Sequence, residues 1–249
     1  STNPVTGRKQ LSLIPSGEIL SMSYSEYDRF IKENKPSSDQ QATAMIRRVG
    51  TKIQKAVEQY AKQGGWAHRL EGYQWEFNLV ESEQVNAWCM PGGKVVFYTG
   101  ILPITQNETG VTVVMGHEVA HAVAEHGNER MSQGLLANLG GMALSAALRD
   151  KPQETRNLWL GAYGLGAQVG VLLPFSREHE SEADRMGLIF MAMAGYDPNE
   201  AVSFWQRMAA KKGGASPPEF LSTHPSDETR IADIKKHLPE ALKFYKPAQ

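Results

Sequence analysis

Val113-Val114-Met115-Gly116-His117-Glu118-Val119-Ala120-His121 is the stretch on which the fold turns. It contains no proline and no charge before Glu118, and it reads as a helix with its polar groups gathered at one end. On a helix, residues four apart lie about 40° from each other, so His117 and His121 can offer two imidazole nitrogens to one ion. Glu118 is turned about 100° from His117. It can therefore address a water beside the ion without ligating it, which suits a general base. The bare HExxH pattern also fits two unrelated helix histidines, one hydrogen-bonded in the core and one at the surface. A third ligand would decide between these readings.

His126 is the nearest candidate, but it lies nine residues after His117, so a continued helix would point it to the opposite face; it reads as a surface or capping histidine. The extended metzincin pattern is also absent, because Ala124 and Gly127 stand where it needs a glycine and a histidine. A better source is Ser176-Arg177-Glu178-His179-Glu180-Ser181-Glu182-Ala183-Asp184-Arg185 with its apolar continuation. Wound as a helix, Glu178, Glu182 and Arg185 share one side and read as a solvated face. Glu180 and Asp184 fall with Ala183, Gly187, Phe190 and Met191 on the apolar side. Two carboxylates on a core-facing stripe are costly to bury unless a cation compensates them. Glu180 is thus the expected third ligand, and Asp184, one turn on, can accept the distal N–H of a ligating histidine. Three protein ligands leave a fourth zinc position for water, the arrangement of a catalytic site.

The rest of the chain is consistent with this. Its 249 residues are 41% hydrophobic and 21% charged, which excludes a disordered or fibrous class and suffices for a core without disulfides. With 26 basic against 27 acidic residues, nothing favours a nucleic-acid partner. Cys89 is the only cysteine, so any metal shell must come from histidine and carboxylate. Residues 1–40 read as a polar arm with a short helix near Ser23 to Asn34, and 41–249 as one domain that carries the candidate metal site. A helix is expected over Gln41 to Gln63. Strands are expected at Gln74 to Val80 and Lys94 to Thr99, the latter joined through Pro91-Gly92-Gly93 to an extended Gln84 to Met90. Everything after Gln106 reads as helical, with starts marked at Thr105, Asp197 and Ser226. The uncharged Leu158 to Ser176 stretch holds four glycines and reads as a buried or re-entrant helical segment rather than a membrane span. The fold class is α+β: mostly helical, with one small antiparallel or mixed sheet beside the HExxH helix. No leader peptide is expected at the polar start, Ser1 to Gln10.

HExxH, the later ExEAD helix, the Asn86-Ala87 to Pro91-Gly92-Gly93 hairpin and the late Thr223-His224-Pro225-Ser226 together resemble metallopeptidase family 48, the gluzincins that include HtpX-like, CAAX-prenyl-protease-like and mitochondrial OMA-like members. The resemblance runs from about Gln41 to Leu238. It implies one zinc held by His117, His121 and Glu180, with Glu118 catalytic. It also implies that Asn86, Ala87, Trp88 and Cys89 border the cleft and pair with substrate backbone. His224 is a further candidate, as an oxyanion donor, an inhibitory fourth ligand or a helix cap. The Asn3 to Gln10 arm is similar to exported bacterial members, often lipoproteins. The expected activity is zinc-dependent endoproteolysis of unfolded or extended proteins in envelope quality control, in the periplasm with a peripheral or lipid-anchored membrane association. The alternative is a zinc-containing chaperone or assembly factor with latent proteolysis.

Overall fold

A computed structural model describes residues 1–165 and 173–247. An irregular amino-terminal arm leads into α1 (Ser16–Glu33) and the long α2 (Gln40–Gly64). Three short strands follow, β1 (Glu76–Val80), β2 (Ala87–Met90) and β3 (Lys94–Tyr98). The remainder is helical: α3 (Leu102–Thr105), α4 (Glu108–Val123), α5 (His126–Leu139), α6 (Leu144–Asp150), α7 (Pro152–Ala162), α8 (Arg177–Met193), α9 (Glu200–Ala210), α10 (Glu219–Thr223) and α11 (Arg230–Leu242). This is the expected helix-rich α+β chain with one small sheet.

The sheet is mixed, in the order β1-β3-β2. β1 runs parallel to β3, with Glu76 opposite Lys94, and β2 returns antiparallel with Met90 opposite Lys94. The turn between β2 and β3 needs Gly92 and Gly93 at φ 86° and 81°, and a Cβ on either would meet the ring of Tyr24 or Trp75 at 2.4 Å. Every residue of β2 and β3 is buried. One apolar core lies among α2, the sheet, α4, α8 and α9, holding Ile53, Phe97, Met115, Phe190 and Phe204. A second lies on the other side of the sheet, where Tyr27, Phe30, Trp88, Met131 and Trp159 pack. α1 is fastened to the sheet by the hydroxyl of Tyr27, which donates to the Val95 carbonyl at 2.7 Å.

Several starts and ends differ from the sequence reading. α1 begins at Ser16, well before Ser23. α4 is capped by Asn107, whose side chain accepts from the Gly110 amide at 2.9 Å, not by Thr105. Asp197 and Asp227 accept from the amides of Asn199 and Thr229 in turns that precede α9 and α11, so Ser226 caps nothing. Of the Leu158 to Ser176 stretch, residues up to Ala162 complete α7, while 166–172 lie outside the described residues. Among the described residues, no helix is long and apolar enough to cross a membrane.

Candidate metal centre and active site

α4 and α8 cross where each has a glycine, which lets their backbones meet. That contact sets the HExxH helix against the helix carrying Glu180 and Asp184. His117 Nε2 lies 3.1 Å from His121 Nε2 and 3.2 Å from Glu180 Oε2, and His121 Nε2 lies 2.6 Å from the same oxygen. His224, which follows α10, brings its Nδ1 within 3.1 Å of Glu180 Oε1 and 3.3 Å of His117 Nε2. One donor atom from each of the four residues lies within 4.8 Å of the others, and all four residues are buried.

The protons explain why this set suits a cation. His117 Nδ1 faces Asp184 Oδ1 at 2.9 Å, and Asp184 in turn accepts from Arg230 Nη2 at 2.9 Å. The proton of neutral His117 therefore sits on Nδ1, leaving the lone pair of Nε2 turned inward. His121 Nδ1 is likewise occupied by His126 Nδ1 at 2.9 Å. Two imidazole lone pairs and a carboxylate then converge at contact distances, which repel one another unless a positive charge lies among them. Donors at about 2.0–2.1 Å from a tetrahedral zinc would lie roughly 3.3 Å apart, which the 3.1 and 3.2 Å spacings around His117 Nε2 match, while the 2.6 Å between His121 and Glu180 is shorter. Without an ion, burial alone would raise the Glu180 carboxyl, but His224 and His117 in their protonated forms, together with Arg230, outweigh it and hold the group well below the ordinary carboxylate range.

Glu118 Oε1 is 2.8 Å from His224 Nε2 but not aligned for a hydrogen bond, and it has no other partner among the described residues. Glu118 and His121 open onto a cavity of about 1020 Å³. Its walls include Cys89, Tyr163 and Phe175 together with residues of the amino-terminal arm from Ser1 to Ser16. Of the four expected cleft-lining residues, only Cys89 is on this wall. Trp88 packs edge-on against Phe30 and Tyr27, and its Nε1 donates to Tyr98 Oη at 3.0 Å. Ala87 is core, and the Asn86 side chain accepts from the Ala87 amide at 2.9 Å. Burial pushes the Cys89 thiol well above its usual range, which disfavours its thiolate form.

Two readings are corrected. His126 is fully buried, not a surface histidine, because α4 ends at Val123 and Glu125 takes φ 60°, which turns the chain into a new helix. The face of α4 therefore does not continue to His126. Glu182 is buried too, not solvated: it accepts from Arg8 Nε at 2.9 Å, from the Thr6 hydroxyl and from His126 Nε2 at 3.1 Å. Its partners lie 174 and 56 residues away, beyond the reach of helical periodicity.

Arg230 was missed, although the signal that marked Glu180 was present. It heads the stripe Arg230, Ile234, Leu238 and Ala241, the buried side of α11, so it is a charge on an apolar face. Phe175 had no local signal. Its ring stacks on His121 at 3.8 Å, and the Arg130 guanidinium lies 3.4 Å from its centroid.

Two histidines and a glutamate on facing helices, the glutamate of HExxH aimed into the same cavity, are the arrangement of a gluzincin. The model of peptidase family M48 matches residues 48–238, and the chain belongs to that family. It is 39% identical over 173 residues to the mitochondrial metalloendopeptidase OMA1 of Schizosaccharomyces pombe, covering 69% of this chain and 49% of that protein. It is 32% identical over 248 residues to the OMA1 of Bos taurus, covering 97% of this chain and 46% of the other. The beta-barrel assembly-enhancing protease of Yersinia pestis is 33% identical over 163 residues, or 64% of this chain and 33% of that one. The chain spans about half or less of the length of these relatives.

Proposed function

We propose that this chain is a zinc endopeptidase that hydrolyses peptide bonds in unfolded or extended protein segments. His117, His121 and Glu180 would hold the ion, and Glu118 would act as general base. The observation that carries this is the convergence of three buried donors, two of them with their lone pairs turned inward, beside Glu118, whose Oε1 makes no aligned hydrogen bond among the described residues and lies on the same cavity. Zinc held there supplies Lewis-acid polarisation of the scissile carbonyl and acidifies a water molecule. Glu118 takes that proton and returns it to the departing amine. Asp184 keeps His117 in the inward-facing tautomer, and Arg230 holds Asp184 in turn. An extended segment would lie in the cavity whose wall carries Cys89.

A setting in envelope quality control, in the periplasm with a peripheral or lipid-anchored association, is supported by the likeness to a protease whose name states that it enhances β-barrel assembly. Metal analysis with a casein-type cleavage assay tests the chemistry. Wild type should carry about one zinc, and Glu118→Gln should keep the metal while losing about 10²–10⁴-fold in turnover. Undiminished cleavage by the zinc-loaded variant overturns the mechanism.

A second reading, a chaperone or assembly factor with latent proteolysis, is favoured by His224. Its Nδ1 completes a four-donor set and its Nε2 faces Glu118, so the side chain closes the position that a substrate would need. Higher turnover of His224→Ala than of wild type would support latency. Lower turnover would assign His224 to catalysis.

A further inference from the structure

His117 and His121 are backed differently. The His117 ring leans on a carboxylate and an arginine, Asp184 and Arg230, both in the carboxyl-terminal half of the chain. We propose that His121 has an equivalent support whose last member is Arg8, so that the amino-terminal arm is part of the metal site. This rests on the zinc reading above.

The contacts form one continuous line. Neutral His121 donates from Nδ1 to His126 Nδ1 at 2.9 Å, and His126 donates from Nε2 to Glu182 Oε1 at 3.1 Å. With these tautomers each nitrogen has one role and the His121 Nε2 lone pair faces the ligand cluster. Glu182 is held from the far side by Arg8 Nε and the Thr6 hydroxyl. Arg8 also grips Glu129 through Nη1 and Nη2 at 3.0 and 2.9 Å, and Glu129 accepts from His179 Nε2 at 2.8 Å. A single guanidinium thus spans two buried carboxylates, one on α5 and one on α8. Removing it leaves both without their main cation and frees Glu182 to rotate, and His126 then loses the acceptor that orients it.

Arg8 is not what keeps the arm in place. Gln10 Nε2 donates to the Ala124 carbonyl at 2.7 Å, the Leu13 amide to Ser132 Oγ at 3.0 Å, and Asn128 Nδ2 to the Ile14 carbonyl at 3.1 Å. Arg69 Nη2 adds a bond to the Thr2 carbonyl at 2.6 Å. A substitution at Arg8 therefore tests the line of contacts rather than the arm's attachment. Arg8 is a positioning residue, acting on the ion only through His126.

The test is zinc affinity of the full chain, read by competition with a chromophoric chelator, with melting of the metal-free proteins alongside. Arg8→Met should weaken zinc binding by about 10–100-fold, the usual effect of losing an outer-shell support. His126→Ala should weaken it similarly, and the double variant should be no weaker than His126→Ala, because both act along one path. Affinity of folded Arg8→Met within about twofold of wild type overturns the proposal, as does a double variant in which the two losses add. If Arg8→Met melts too low to assay, Glu182→Leu removes the acceptor for His126 Nε2 while leaving Arg8 on Glu129; it should weaken zinc similarly, and unchanged affinity again overturns the proposal. A wild type that binds no zinc overturns the metal reading itself, a result distinct from the others.

Discussion

Gly116 and Gly187 touch through their backbones: a Cβ on Gly116 would lie 2.8 Å from the Gly187 carbonyl oxygen, and one on Gly187 would lie 2.9 Å from the Gly116 carbonyl carbon. This contact sits one residue before His117 and three after Asp184, so it fixes how far apart the two halves of the ligand set stand. Helices usually pack 8–10 Å apart according to the side chains between them, and here there are none.

Gly116→Ala or Gly187→Ala should force the helices apart, because the clash is with backbone that has nowhere to go. The expected cost is about 1–3 kcal/mol of stability. It would be read from denaturant midpoints of the metal-free protein. Loss of zinc affinity should accompany it, since the donors separate with the helices; a variant as stable and as tight as wild type would show that the crossing is pliable.

Asp184→Asn keeps the size of the side chain but removes the charge that Arg230 and the His117 N–H share. Zinc affinity should fall about 10–100-fold. Chelator competition checks this, with circular dichroism confirming the fold.

The Tyr163 ring packs against Gly127, and its buried hydroxyl has no hydrogen-bond partner among the described residues, although the residue lines the cavity. Replacing such a group by hydrogen removes an unpaid desolvation cost. Tyr163→Phe should therefore melt at the same temperature as wild type or higher. A drop of several degrees would reveal a partner present in solution.

Glu129 provides a pH test. Burial alone would raise its carboxyl, but hydrogen bonds from Arg8 and His179 prevail and lower it below the usual 4.5. A carboxylate whose folded value is depressed contributes stability that is full above its unfolded value and is lost as pH falls towards the folded one. The melting difference between wild type and Arg8→Met should thus be largest near neutrality and shrink below about pH 4.5. Melting curves across pH 2.5–7 of metal-free protein would show it, and a gap that widens in acid would contradict it.

The reach of sequence reading follows from distance along the chain. The pair His117 and His121, and the carboxylates Glu180 and Asp184, stand out because one helical period governs each set. The β2–β3 hairpin was equally local. The parallel pairing of β1 with β3 was not, since it depends on what covers the sheet. His126 was misplaced because Glu125 breaks the helix with a left-handed residue, a conformation that no residue type at that position demands. Glu182 looked like surface because the cation that permits its burial comes from the other end of the chain. The direction of the Trp88 ring has no local signal either: it faces α1, and only the tertiary position of Phe30 and Tyr27 shows this.

The stretch matched by the family model begins at residue 48, inside α2. A recombinant fragment trimmed to that boundary would discard Arg8, the wall that the arm gives the cavity, and Tyr27 with its bond to the sheet. It would leave Glu129, Glu182 and the inner face of β3 open to solvent. Such a fragment should express as a sticky, poorly metallated species, so weak activity from it would measure where the chain was cut rather than what the enzyme can do.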